Sequence, residues 1–272
     1  MHDLWRKTTA LFWKNPILWL PLLCADLLVF CFTRLQRLLT PHLIDWLQLS
    51  HSALTGQAIR PIAGPAPMMK AALLTGPFVW GNYFLNTCLY TGAFVITATL
   101  VHTLGQDLQP DLPGVLRSLG SRIRGILVFS VKLLALYALS GVLLIQVTRL
   151  AQKWGFPSTE ILVPGFVMLA YLSVAYCMAP SGIRLLRDAQ SGPVTTEYAR
   201  RFSILMVMAS LAISYLVSMA EQSLNASPLL ARGILRLIME AHASFVAAFP
   251  YVPLFILLAL IATMQQKSAD SD

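Results

Sequence analysis

The sequence predicts an all-α protein, a polytopic transmembrane helical bundle, and three observations predict it. Of the 272 residues 57% are hydrophobic and only 12% are charged, whereas a soluble domain carries roughly 25% charged residues. The apolar residues are gathered into long blocks, where a soluble core would break them into amphipathic stripes with charged outer faces. The 20 Lys and Arg that give a net charge of +8 sit mainly in short connectors between those blocks. That distribution points to anionic lipid headgroups as the partner and away from nucleic acid.

A helix needs about 20 apolar residues to cross a hydrocarbon core about 30 Å thick, and it satisfies every backbone polar group within the segment. Six stretches qualify, near Pro16 to Phe32, Phe78 to Leu104, Ile123 to Val147, Ile161 to Leu186, Phe202 to Ala220 and Phe245 to Met264. Residues 1–264 therefore read as a single transmembrane domain, and 265–272 as a disordered polar tail. The first block follows Arg6, Lys7 and Lys14 but lacks a small-x-small cleavage site, so it reads as an anchor.

Each odd-numbered crossing is preceded by a short basic, amphipathic stretch. The three copies start at Leu4-Trp5-Arg6-Lys7, Leu112-Pro113-Gly114-Val115 and Pro193-Val194-Thr195-Thr196, and they end at Lys14-Asn15-Pro16, Arg122-Ile123-Arg124 and Arg200-Arg201-Phe202. Proline near the start suits a first helical turn. Asp107 and Asp111 fit helix-start and turn roles before the second copy. On the other side, Thr40 can cap an interfacial helix from Pro41, and Ser227-Pro228 opens another whose apolar face holds Leu230, Ile234, Leu237 and Ala241. A Pro- and Gly-containing linker is expected between Gln57 and Pro77.

With the N-terminus in the cytoplasm, eleven basic residues fall on the cytoplasmic side (Arg6, Lys7, Lys14, Arg117, Arg122, Arg124, Arg184, Arg187, Arg200, Arg201 and Lys267) against eight outside. That asymmetry favours a plasma-membrane protein with both termini inside.

Two ionisable residues lie within apolar blocks, Asp26 in the first crossing and Lys132 in the third. A lone charge there costs several kcal/mol, so each needs a partner. At about 1.5 Å per residue they lie about 15 Å and about 12 Å deep, which permits an ion pair between them. The competing readings are a Lys132 that snorkels to the interface and an Asp26 held protonated.

Two polar helix faces stand out. Ser210, Ser214, Ser218 and Gln222 recur every four residues along the fifth crossing, a stripe that allows close helix packing or lines a polar path. Asn82, Asn86, Tyr90 and Thr97 share a face of the second crossing and could add to that path. The four cysteines, Cys24, Cys31, Cys88 and Cys177, fall inside apolar blocks, where thiols pack as small hydrophobes; neither a disulfide framework nor a metal or cofactor site is expected.

The basic stretch before each odd crossing, the end of the fourth crossing at Ala179-Pro180-Ser181-Gly182, and the Arg184 to Arg201 connector leading into Phe202-Ser203-Ile204-Leu205 carry a resemblance. The layout resembles a loose group of bacterial six-helix membrane proteins that includes the membrane domain attached to some glycerophosphodiester phosphodiesterases. In that group the catalytic domain is a separate soluble barrel, for which six crossings leave no room here, so the resemblance implies no phosphodiesterase activity.

The sequence contains no His-Glu-x-x-His, no Gly-x-Ser-x-Gly, no phosphate-cradling glycine loop and no clustered carboxylates in a crossing, so no enzyme is expected. The expectation is a non-enzymatic membrane component that organises lipids or partner proteins. The alternative is a small-solute or lipid transporter, or a subunit of one. A cavity joining the polar faces of the second and fifth crossings at mid-membrane depth would favour the alternative.

Overall fold

The computed structural model describes residues 2–55, 65–106, 108–153, 159–186, 193–225, 246 and 249–269. Among the described residues the fold is all-α, with no strand. Helix α1 (His2–Lys14) leads through a 3-10 turn at Pro16–Leu18 into α2 (Leu20–Thr55); α3 (Pro65–Leu104), α4 (Leu112–Ser121), α5 (Ile123–Lys153), α6 (Thr159–Leu186), α7 (Pro193–Asn225) and α8 (Tyr251–Ala269) follow. Four segments are long and apolar enough to cross a membrane: Pro16–Gln36, Trp80–Leu104, Ile123–Leu144 and Gly165–Leu186. They coincide with the first four expected crossings.

Side-by-side packing of α2 on α3, α3 on α5, α5 on α6 and α6 on α7 builds the bundle, and α8 sits against α1, α3, α6 and α7. Helix α8 is the interior element. Val252, Ile256 and Leu257 are fully buried, and Leu254, Leu258, Ala259, Ile261 and Ala262 are buried around nearly its whole circumference, which is why its sequence has no polar face. Its apolar part, Tyr251–Thr263, is shorter than a crossing requires. In α3, 44% of the spanning window is buried against 11% in α5, so α3 lies inside and α5 at the rim. The exposed surface of α5 is correspondingly apolar, with Leu127, Val128, Val131, Leu139, Val142 and Leu143 facing out.

The tight half of the bundle is an apolar cluster of Phe12, Leu18, Leu22, Phe94, Val101, Ile126, Ile183, Phe202 and the α8 residues. Helix α1 joins it through aromatic contacts. Phe12 meets Phe249 at 5.2 Å between ring centroids, Trp5 meets Phe202 at 5.4 Å, and the Trp19 indole N–H donates to the Phe12 carbonyl at 3.0 Å. Such pairs add about 0.5–1.5 kcal/mol each beyond burial. Helix α4 docks on α3, where the Thr99 and Ser118 hydroxyls meet at 2.8 Å.

Asp111 starts α4 by accepting a hydrogen bond from the Gly114 N–H at 3.0 Å. A Cβ at position 114 would strike the Asp111 carboxylate, so glycine is what lets the cap close. Asp111→Ala should destabilise α4 by about 1 kcal/mol, read as faster amide exchange in Leu112–Ser121 with exchange in α3 unchanged.

Several boundaries differ from the sequence reading. Thr40 does not begin a new helix: α2 runs on through Pro41 to Thr55. Proline removes one backbone bond and crowds the preceding turn, yet long apolar helices tolerate it when neighbours re-satisfy the freed carbonyl. Much of the expected linker between Gln57 and Pro77 is helical, because α3 starts at Pro65, a residue suited to a first turn. The third basic stretch, Pro193 to Arg201, is continuous with the helix that follows it. The expected disordered tail is helical to Ala269. The segment from Ser227 to Ala241 and residue Asp107 lie outside the described residues.

Candidate functional site: an intrabundle cavity

A cavity of about 940 Å³ lies between the helices. It is walled by α2 (Asp26, Val29), α3 (Trp80 to Phe94), α5 (Phe129 to Leu144), α6 (Phe166 to Gly182), α7 (Ser203, Val207, Ser210) and α8 (Tyr251 to Leu258). One end abuts the tight half, at Phe94, Gly182 and Leu258. At the other, Trp80, Tyr83, Tyr137 and Tyr171 line the space while remaining exposed.

The cavity persists because small residues face it where neighbouring helices carry bulk. Gly141, Ala170, Ala175, Ala179, Ser140 and Ser210 project little, and aromatic rings brace the gap between them. Tyr137 meets Tyr171 edge-on at 5.6 Å, joining α5 to α6. Phe94 meets Phe255 at 5.1 Å, joining α3 to α8.

Asp26 is the carboxyl of the described wall, whose described residues include no Lys, Arg or His. It is buried, and its Oδ1 accepts the Tyr90 hydroxyl proton at 2.7 Å. One turn along α3, Asn86 also lines the cavity, and its Oδ1 is buried with no hydrogen-bond partner among the described residues. Thr91 of α3, which lines the cavity, approaches the Ser130 hydroxyl of α5 at 3.4 Å.

The polar residues singled out in the sequence divide accordingly. Asn86, Tyr90 and Ser210 line the cavity, so the polar faces of α3 and α7, the elements at the expected second and fifth crossings, both contribute to it. Asn82 turns away and donates to Gln36 of α2, tying two helices together. Thr97 is fully buried in the tight half, and its hydroxyl has no hydrogen-bond partner among the described residues. Ser214, Ser218 and Gln222 lie on α7, but their side chains fall outside the described residues.

The expected ion pair is not formed. Asp26 faces inward to Tyr90, whereas Lys132 is exposed on the outer face of α5 beside Val131 and, among the described residues, makes no salt bridge. Helix rotation decides this: equal depth does not make two residues face each other.

Sequence reasoning missed Ser203 and the aromatic wall. Ser203 lies seven residues before Ser210 on the same stripe and could have been added to it. Trp80, Tyr83, Tyr137 and Tyr171 gave no signal, since aromatic rings inside apolar blocks look the same whether they face a cavity, a helix or lipid. The cysteines form no disulfide; Cys24, Cys31 and Cys177 are exposed on outer faces. No family model, curated protein or solved structure matches this chain.

Proposed function

We propose that this chain is a plasma-membrane protein of six crossings that binds a small amphipathic molecule within the bundle, and that it works as a non-enzymatic small-solute or lipid transporter or as the binding subunit of one. The observation that carries this reading is the cavity shared by Asn86 and Tyr90 of α3 and Ser210 of α7. Its volume falls within the roughly 300–1,000 Å³ of ligand sites, and a mostly apolar wall with a few convergent polar groups is the composition of such sites. A protein that only organised lipids or partners would gain more by packing these faces together, since association between helices in lipid depends on close contact.

Four spans fit the membrane reading directly. The fifth is supported by α7, which runs without interruption over 202–220, a stretch with no Asp, Glu, Lys or Arg and a length of about 28 Å. The sixth combines α8 with the apolar residues from Phe245. The outward apolar faces of α2 and α5 then meet acyl chains, and Lys132 reaches the headgroups by extending its stem along α5. Both termini lie in the cytoplasm, on the basic side, where anionic headgroups are the partner.

The test is flux across proteoliposomes of phosphatidylethanolamine and phosphatidylglycerol. Protein-containing vesicles should move a neutral aromatic solute or a short-chain fluorescent phospholipid faster than protein-free vesicles of the same composition. Equal rates for both probes, together with no saturable binding of either to the purified protein, would overturn the reading.

A further inference from the structure

We infer that the outer face of α5 docks a second membrane protein, through a transmembrane helix of that partner which carries a carboxylate near its middle. The inference rests on the membrane reading above and is independent of the cavity. Lys132 carries it.

The first observation is depth. Lys132 is the tenth residue of the apolar segment Ile123–Leu144, so its backbone lies about 13 Å from the start of that segment at a rise of about 1.5 Å per residue. Contacts between helices hold this level in register across the bundle. A Cβ at Gly125 would strike Leu185 near the end of α6, Ser130 approaches Thr91 of α3, and Tyr90 of α3 meets Asp26, the central residue of the segment Pro16–Gln36. In a chain alone in lipid, the Lys132 amine gets to the headgroups only with its stem fully stretched and the leaflet thinned towards it, because four methylenes cover about half of the distance. Arg122 and Arg124, at the start of α5, already stand at the headgroup level. Ionisable groups at the depth of Lys132 pair with one another, and such a residue marks a contact.

The second observation is the shape of the face. Val128, Lys132, Ala135, Leu139, Val142 and Gln146 are all exposed, at spacings that alternate between four and three residues. That period of 3.5 is the one along which two helices pack when they cross at about 20°. Ala135, one turn beyond Lys132, lets a second backbone come close. Of the four spans α5 is the least buried, so this row is open to a neighbour along its length.

Charge complementarity then names the occupant. Lys132 makes no salt bridge among the described residues, and Val128, Val131 and Ala135 around it are apolar. The four spans contain one carboxyl, Asp26, which is buried and turned inward to Tyr90, and residues 202–220 of α7 contain none. These helices of a second copy therefore present no carboxylate to Lys132. The partner is a different chain.

The experiment reconstitutes the full chain, carrying a donor dye at its N-terminus, into liposomes with acceptor-labelled synthetic helices of about 20 apolar residues whose central residue is Glu, Gln or Leu. Energy transfer should report the Glu helix associating at least about tenfold more tightly than the Leu helix and severalfold more tightly than the Gln helix. Lys132→Met should bring the Glu and Leu helices within about twofold, and Lys132→Arg should keep the preference. Association with the Glu helix no tighter than with either control overturns the inference; a preference for spin-labelled phosphatidylglycerol over phosphatidylcholine that Lys132→Met abolishes would then assign the amine to lipid phosphate. A chain that alkaline carbonate strips from the liposomes would sink the membrane reading itself. The three helices are compared on the native chain, so the result stands even if a variant fails to fold.

Discussion

Ala170→Trp is expected to abolish binding to the intrabundle cavity, with at least a tenfold loss of affinity for any ligand that occupies it, while folded yield in detergent stays near that of the native chain. Ala170 lines the cavity from α6, close in sequence to Tyr171 and Phe166. An indole at this position enters open space and displaces whatever would sit there. A core without a cavity would instead be overpacked by the same change, at about 1–3 kcal/mol or more. The control is Ala135→Trp. Ala135 lies on the exposed face of α5 and does not line the cavity, so its indole projects outward and should leave binding unchanged. Equal losses in the two variants, or none in either, would separate the cavity from ligand binding.

Ile256→Ala should be the most damaging of the conservative core substitutions, lowering stability by about 2–4 kcal/mol. Ile256 is 0% exposed at the centre of α8, the helix that the other elements surround. Inside a bilayer the apolar transfer contribution is small, because lipid is as apolar as the core; what is lost is contact with neighbours that cannot collapse onto the void. Leu139→Ala removes a comparable side chain from the outer face of α5, where Leu139 is 56% exposed, and should cost about 0.5 kcal/mol or less. Thermal unfolding midpoints in detergent test the pair. If the two variants fell equally, α8 would not be the interior helix.

These two predictions draw on different layers of the protein. The outer faces of α2 and α5 could be anticipated from composition, because an apolar block needs an apolar surrounding whichever way its helix is turned. The interior role of α8 could not. Its sequence resembles the other blocks in apolar content, and only the convergence of α1, α3, α6 and α7 on it makes Ile256 more costly to lose than Leu139.

Helix ends show a similar division. Asp111 caps α4 as its position before Leu112-Pro113 predicts, since the capping bond spans only three residues and is decided locally. Pro65 stands where proline's local preference puts it, in the first turn of α3, whereas α2 continues through Pro41 against that preference. The basic stretches before α2 and α5 are separate helices, α1 and α4, whereas the stretch from Pro193 to Arg201 merges with α7. At Asn15 and Arg122 the backbone leaves the helical path; the continuous helical dihedrals of α7 leave no such joint near Arg201, where Glu197 instead bridges to Arg200 and Arg201 at 3.8 and 3.1 Å along one face.

By itself the sequence determined that the chain is built from long apolar helices joined by basic connectors, and that Asn86, Tyr90 and Ser210 are polar exceptions within them. Those properties follow from the solvent each segment prefers and from a periodicity of 3.6 residues. Only the tertiary structure decided which exceptions meet: Asp26 with Tyr90 and not with Lys132, Asn82 with Gln36, and the aromatic rings of four helices around one space. Rotation of each helix about its axis selects these pairings, and that rotation is set by how all the neighbours pack at once.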